Sequence, residues 1–198
     1  MNLPSRSAFL VAMGALSVCL VSAQVSPEQQ RISVRVLDKI QTIDLYNQIL
    51  PVLMTPAQIK DILPALEKYR SEHNKVVIKE HNLLKDLEKE LDASLAEIKK
   101  SDNVPDQAIM TKYRNYLQAF SIVRQAMFAE ARNEVIALLK QKLNSGQVTA
   151  AANSLSPRSL GDATDPKKFT EAQKLTYWVE IVLFDPLTYQ ILVDLSKK

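Results

Sequence analysis

The sequence predicts an all-α protein: an elongated antiparallel helical hairpin with flanking helices. Three observations carry this. Apolar residues recur every three or four positions over long stretches with charged residues between them, whereas β-branched and aromatic residues form no alternating runs. Only 3 of the 198 residues are glycine, so there is no glycine-rich phosphate loop, which counts against nucleotide-binding folds. Short Ser/Thr-x-x-Gln segments recur just ahead of the apolar runs, in the form of a helix capping box. With 46% hydrophobic and 24% charged residues, the composition is that of a folded chain.

Residues 1–23 read as a secretory signal peptide. Arg6 supplies the positive start, Ala8–Val21 the apolar stretch, and Val21-Ser22-Ala23 the cleavage positions. The apolar stretch is short for a membrane span. Cleavage would make Gln24 the new N-terminus. It would also remove Cys19, the only cysteine, and Arg6, lowering the formal net charge from +3 to +2. A near-neutral chain without thiols has no disulfide framework and makes no electrostatic case for nucleic acid. Residues 24–198 then read as a single all-helical domain with helices at about 27–50, 55–100, 106–144, 166–184 and 186–196.

Ser26-Pro27-Glu28-Gln29 opens the first helix, with Ser26 as cap, Pro27 in the first turn and Gln29 reaching back. Its stripe is Ile32, Val36, Ile40, Ile43 and Leu50, and Pro51 ends it. Thr55-Pro56-Ala57-Gln58 opens the second, with Met54 and Ile59 placed as a hydrophobic staple. Its stripe runs from Ile59 to Ile98, roughly 70 Å at the α-helical rise. So long a helix needs a partner to cover its stripe. Pro64 lies inside it, where a missing N–H predicts a kink. Ser101–Pro105 reads as a turn, so the third helix must run back antiparallel. That helix carries Tyr113, Tyr116, Phe120 and Phe128, a stripe that normally packs inward. Asn144-Ser145-Gly146 reads as its close, with Gly146 as a left-handed cap. Val148–Ala152 reads as a short helical turn and Asn153–Asp165 as a loop. Thr170-Glu171-Ala172-Gln173 is a further box, Leu175–Phe184 is densely apolar around Trp178, and Asp185-Pro186 marks the start of the last short helix.

Nothing in this pattern names a catalytic site, so the sequence reads as a non-enzyme without cofactor. His73 and His81 are eight residues apart on the long helix. At 100° per residue they point about 80° from each other, so they cannot chelate one ion together. They read as solvent-facing, and no metal site is expected. A metal-responsive reading would need the two histidines to combine with carboxylates across a dimer.

Met54-Thr55-Pro56-Ala57-Gln58 and Phe169-Thr170-Glu171-Ala172-Gln173 each place an apolar residue before a Thr-x-x-Gln box. In these motifs the chain resembles the LTXXQ-motif family of Spy/CpxP-like periplasmic helical proteins, with Met54 and Phe169 where the family has Leu. The resemblance implies a Spy-like helical cradle, often dimeric, in the cell envelope. It implies an ATP-independent chaperone or stress-response protein binding unfolded or partner proteins, with Thr55, Gln58, Thr170 and Gln173 as structural caps. The competing reading is a helical adaptor with one dedicated partner.

Overall fold

A computed structural model describes residues 27–101, 107–155 and 168–198. Every element among them is helical: α1 (Pro27–Ile49), a 3-10 turn (Leu50–Val52), α2 (Pro56–Ser101), α3 (Gln107–Lys142), α4 (Ser145–Asn153), α5 (Glu171–Trp178), a π-helical turn (Val179–Leu183) and α6 (Thr188–Leu195). The chain divides into two units, Met1–Asp44 and Leu45–Lys198. Of the first, the described part is the stretch of α1 as far as Asp44, in which every residue from Arg31 to Gln41 is exposed.

In the second unit α2 and α3 pair as an antiparallel hairpin. At 46 and 36 residues they are about 69 Å and 54 Å long. Ion pairs along the hairpin follow its register: Lys142–Asp61 at 2.9 Å, Lys68–Glu134 at 2.7 Å, Lys112–Glu90 at 2.5 Å, and Arg124–Glu80. Residue numbers fall along α3 in near-equal steps as they rise along α2. The helix runs unbroken through Pro64.

The core gathers at one end of the hairpin. Ile59, Ile62 and Leu66 of α2 and Val135 and Leu139 of α3 are almost fully buried there, with Leu45, Ile49 and Val52 before them and Leu175, Trp178, Val182 and Leu192 after. We call this end the base. Trp178 is 0% exposed. Its indole N–H donates to the Gln48 carbonyl at 3.2 Å, and the Ser154 hydroxyl donates to the same oxygen at 2.8 Å. The open carbonyl in the last turn of α1 thereby anchors the two later segments. Tyr69 stacks on Phe184 with ring centres 4.0 Å apart, and Phe128 meets Phe184 edge-on at 5.4 Å.

The junctions are held by capping boxes. Thr55 Oγ1 accepts from the Gln58 N–H at 3.2 Å, and Gln58 Oε1 accepts from the Thr55 N–H at 2.9 Å. The same reciprocal pair joins Thr170 and Gln173. Ser26, and with it the Ser26–Gln29 box, lies outside the described residues, as do the Ser101–Pro105 turn's residues 102–105 and Asp165-Pro166.

Three local expectations are corrected. Gly146 does not cap the end of α3. That helix ends at Lys142, and after the single residue Leu143, Asn144 opens α4, accepting from the Gln147 N–H at 2.9 Å while Gln147 Oε1 accepts from the Asn144 N–H at 3.1 Å. Gly146 is the second residue of that helix, because the Asn144 carboxamide starts a new helix more effectively than a glycine stops the old one. The helix expected over 166–184 is α-helical only from Glu171 to Trp178 and then widens by one residue per turn, with the Phe184 N–H donating to Val179 O at 3.0 Å. Asp185 caps a turn one step ahead of α6, accepting from the Leu187 N–H at 2.9 Å.

Gln58 and Gln147 also bond to each other. Each Nε2 donates to the other's Oε1, at 2.9 and 3.0 Å. The remaining N–H of Gln58 goes to Lys142 O at 2.8 Å, and that of Gln147 to Leu53 O at 2.9 Å. Every donor and acceptor of both amides is used. Leu53, the one residue other than glycine at positive φ among those described (φ 53°), is held in that conformation by this bond and by its N–H to Leu50 O at 3.1 Å. A left-handed leucine costs roughly 1 kcal/mol. Replacing Gln147 by alanine removes the four bonds of its side chain, two with Gln58 and one each with Leu53 and Asn144, and we expect a loss of about 2 kcal/mol in urea unfolding read by Trp178 fluorescence. Gln173→Ala, whose bonds stay within its own box, should cost about 1 kcal/mol. A Gln58/Gln147 double-mutant cycle should show coupling above about 0.5 kcal/mol.

Candidate protein-binding surface

Beyond the base the hairpin continues as a two-helix arm, and its burial falls away. In α2 past Tyr69, only Glu80 and Leu87 are buried. Seam residues such as Val76, Leu83, Leu91 and Ile98 are half-covered, as are Ile109, Tyr116 and Phe120 of α3. Two helices alone cannot enclose their stripes, so apolar flanks stay in solvent.

On α2 the exposed flank is Val77 (39%), Leu84 (40%) and Leu95 (51%). Spacings of seven and eleven residues put them on one line with buried Leu66. On α3 it is Leu117 (45%) and Met110 (41%), on one line with Phe128 of the core. Both stripes thus begin inside the base and run out of its cover. Tyr113 is exposed beside them. The aromatic stripe expected on the third helix therefore divides: Phe128 belongs to the base, Tyr116 and Phe120 pack on each other with ring centres 6.0 Å apart, and Tyr113 faces water.

One strong polar contact holds the arm. The Glu80 carboxylate, 5% exposed, receives two bonds from the Arg124 guanidinium, one at 2.7 Å. This bond, ahead of the charge itself, raises the Arg124 pKa, with burial opposing it. It is the two-pronged pairing that a planar guanidinium favours.

The predicted site residues fall apart in space according to role. Thr55 and Gln58 lie at the base beside α4, and Thr170 and Gln173 start α5. His73 is half-buried with its ring 6.0 Å from that of Tyr69, and His81 is exposed. Among the described residues no group of three or more His, Cys, Asp or Glu is arranged to hold a metal ion, and no helix is long and apolar enough to cross a membrane. A shallow groove lined by Lys68, Tyr69, Glu72, Glu130 and Glu134 is bridged by the Lys68–Glu134 pair. Sequence reasoning missed the Asn144–Gln147 box, although its N-x-x-Q form was there to read. It also missed Glu80 and Arg124, which look like ordinary surface charges. Compared with protein-family models, curated proteins and solved structures, the chain matches none.

Removing Arg124 strands the Glu80 charge. Arg124→Ala should cost roughly 1–2 kcal/mol, less than for a fully buried pair because the arginine keeps 47% of its side chain in solvent. Lys112→Ala, at an exposed pair, should leave the unfolding midpoint unchanged within error. Burial raises the Tyr69 pKa, so the fold favours the neutral phenol. That contribution is whole below the ordinary tyrosine pKa of about 10 and is lost as pH rises through the raised value. In an alkaline absorbance titration a late-ionising tyrosine should appear together with falling stability, and Tyr69→Phe should remove both.

Proposed function

We propose that this chain is an exported, ATP-independent, chaperone-like or stress-response protein of the cell envelope that binds unfolded or partner polypeptides along the arm. The observation that carries this reading is the pair of apolar flanks, Val77–Leu84–Leu95 and Met110–Leu117, exposed on two helices that pair along their length. Exposed apolar side chains in line, between charged neighbours, suit extended apolar segments of many sequences. The Thr55–Gln58 and Thr170–Gln173 boxes with their leading Met54 and Phe169 support the reading through the resemblance to the LTXXQ-motif family. The cell-envelope setting rests on the signal-like residues 1–23.

The test follows light scattering from an unrelated, chemically unfolded protein diluted into buffer without ATP, with and without residues 24–198 of this chain. Suppression near equimolar ratio is expected, with at least a several-fold loss for the Leu84→Asp/Leu117→Asp double variant. Both side chains are 40% exposed or more, so the fold should survive, as circular dichroism will check. No suppression across a wide excess contradicts the proposal and favours the adaptor reading.

A further inference from the structure

Helix α1 carries an exposed line of residues that the base does not use. Its last two turns bury Leu45, Gln48 and Ile49 in the core. On another face Ser33, Val36, Ile40, Ile43, Asn47 and, one step beyond the helix, Leu50 are all exposed. Their spacing is 3-4-3-4-3, the a/d pattern of a coiled-coil seam. Val36, Ile40, Ile43 and Leu50 are 49%, 58%, 62% and 50% exposed.

A helix this bare has little reason to exist alone. Ile32, Val34, Val36, Ile40, Thr42 and Ile43 are β-branched, which lowers intrinsic helix propensity. Most helical stability in proteins comes from packing of an apolar face rather than from propensity. The seam therefore needs a helical partner of the same period, and a second copy of α1 meets that need.

We propose that the chain forms a homodimer through a parallel, in-register coiled coil of α1. With Ser33, Ile40 and Asn47 at a and Val36, Ile43 and Leu50 at d, the flanking residues decide the direction. In parallel pairing each g position meets the e position five residues on in the other helix. Ile32 then meets the partner copy's Leu37, apolar against apolar, and Lys39 meets the partner copy's Asp44, opposite in charge. In antiparallel pairing centred on the same seam, Leu37 would lie against Asp44. A single Asn at a, here Asn47, is the device that selects a two-stranded, in-register pair. This inference is independent of client binding by the arm.

The test uses the purified protein in sedimentation and light-scattering measurements over a range of concentrations. A dimer at micromolar concentration is expected, and Ile40→Asp/Ile43→Asp should shift it to monomer with some loss of helical signal. Neither side chain is part of the buried core, so Trp178 fluorescence should stay native and separate loss of dimer from loss of fold. Direction is read by Ser33→Cys in a Cys19→Ser background: mild oxidation should link two chains at residue 33, because in-register a positions adjoin. A monomer at every concentration, a dimer that survives Ile40→Asp/Ile43→Asp, or a dimer with no crosslink at residue 33 would each overturn the proposal.

Discussion

Two glutamine amides hold the base of this molecule together. Gln58 and Gln147 each close a capping box on their own helix and then bond to each other, so the starts of α2 and α4 are fixed as one unit. The spare donors reach Lys142 at the end of α3 and Leu53 just before α2. One pair of side chains thereby sets the position of three helix ends and stabilises a left-handed leucine. The core around Ile59, Leu139 and Trp178 gathers at this same end of the hairpin. Hydrophobic burial supplies most of the driving force, but it is non-directional, and the directional part comes from this polar corner.

The same organisation accounts for the arm. Helices α4 to α6 and the π-helical turn cover the hairpin near its base and go no further. Past that cover, α2 and α3 keep the helical period that made them pair, yet they have only each other to pack against. Their inner faces are half-buried and their flanks are wet. The enclosed Glu80–Arg124 contact ties the two helices together partway along. A firm base thus carries an arm whose apolar residues remain available to other chains.

Much of this was legible in the sequence because it is local. The period of α2, the Thr55 and Thr170 boxes and the antiparallel return of α3 all follow from residues within a few positions of each other. What was not legible depends on distance or on ambiguity. Asn144-Ser145-Gly146 has the composition of both a helix stop and a helix start, and only the Gln147 side chain decides between them. The Gln58–Gln147 pair joins residues 89 apart in sequence, and neither glutamine signals the other. Glu80 looks like any surface carboxylate until α3 brings Arg124 beside it. Leu53 carries no sign of its left-handed backbone, since it is imposed by the 3-10 turn before it and the Gln147 bond after it. The aromatic residues of α3 share one stripe but meet three environments, because cover ends partway along the helix.

The most direct test of the account is amide hydrogen exchange on the whole protein, with and without an unfolded client. The account predicts slow exchange in the base, around Ile59–Leu66, Val135–Leu143 and Leu175–Leu183, and faster exchange along the arm, because local stability follows buried contact. Added client should protect residues 77–95 and 110–123 and leave the base unchanged. Uniform protection along the hairpin in the free protein, or client-induced protection confined to the base, would contradict it.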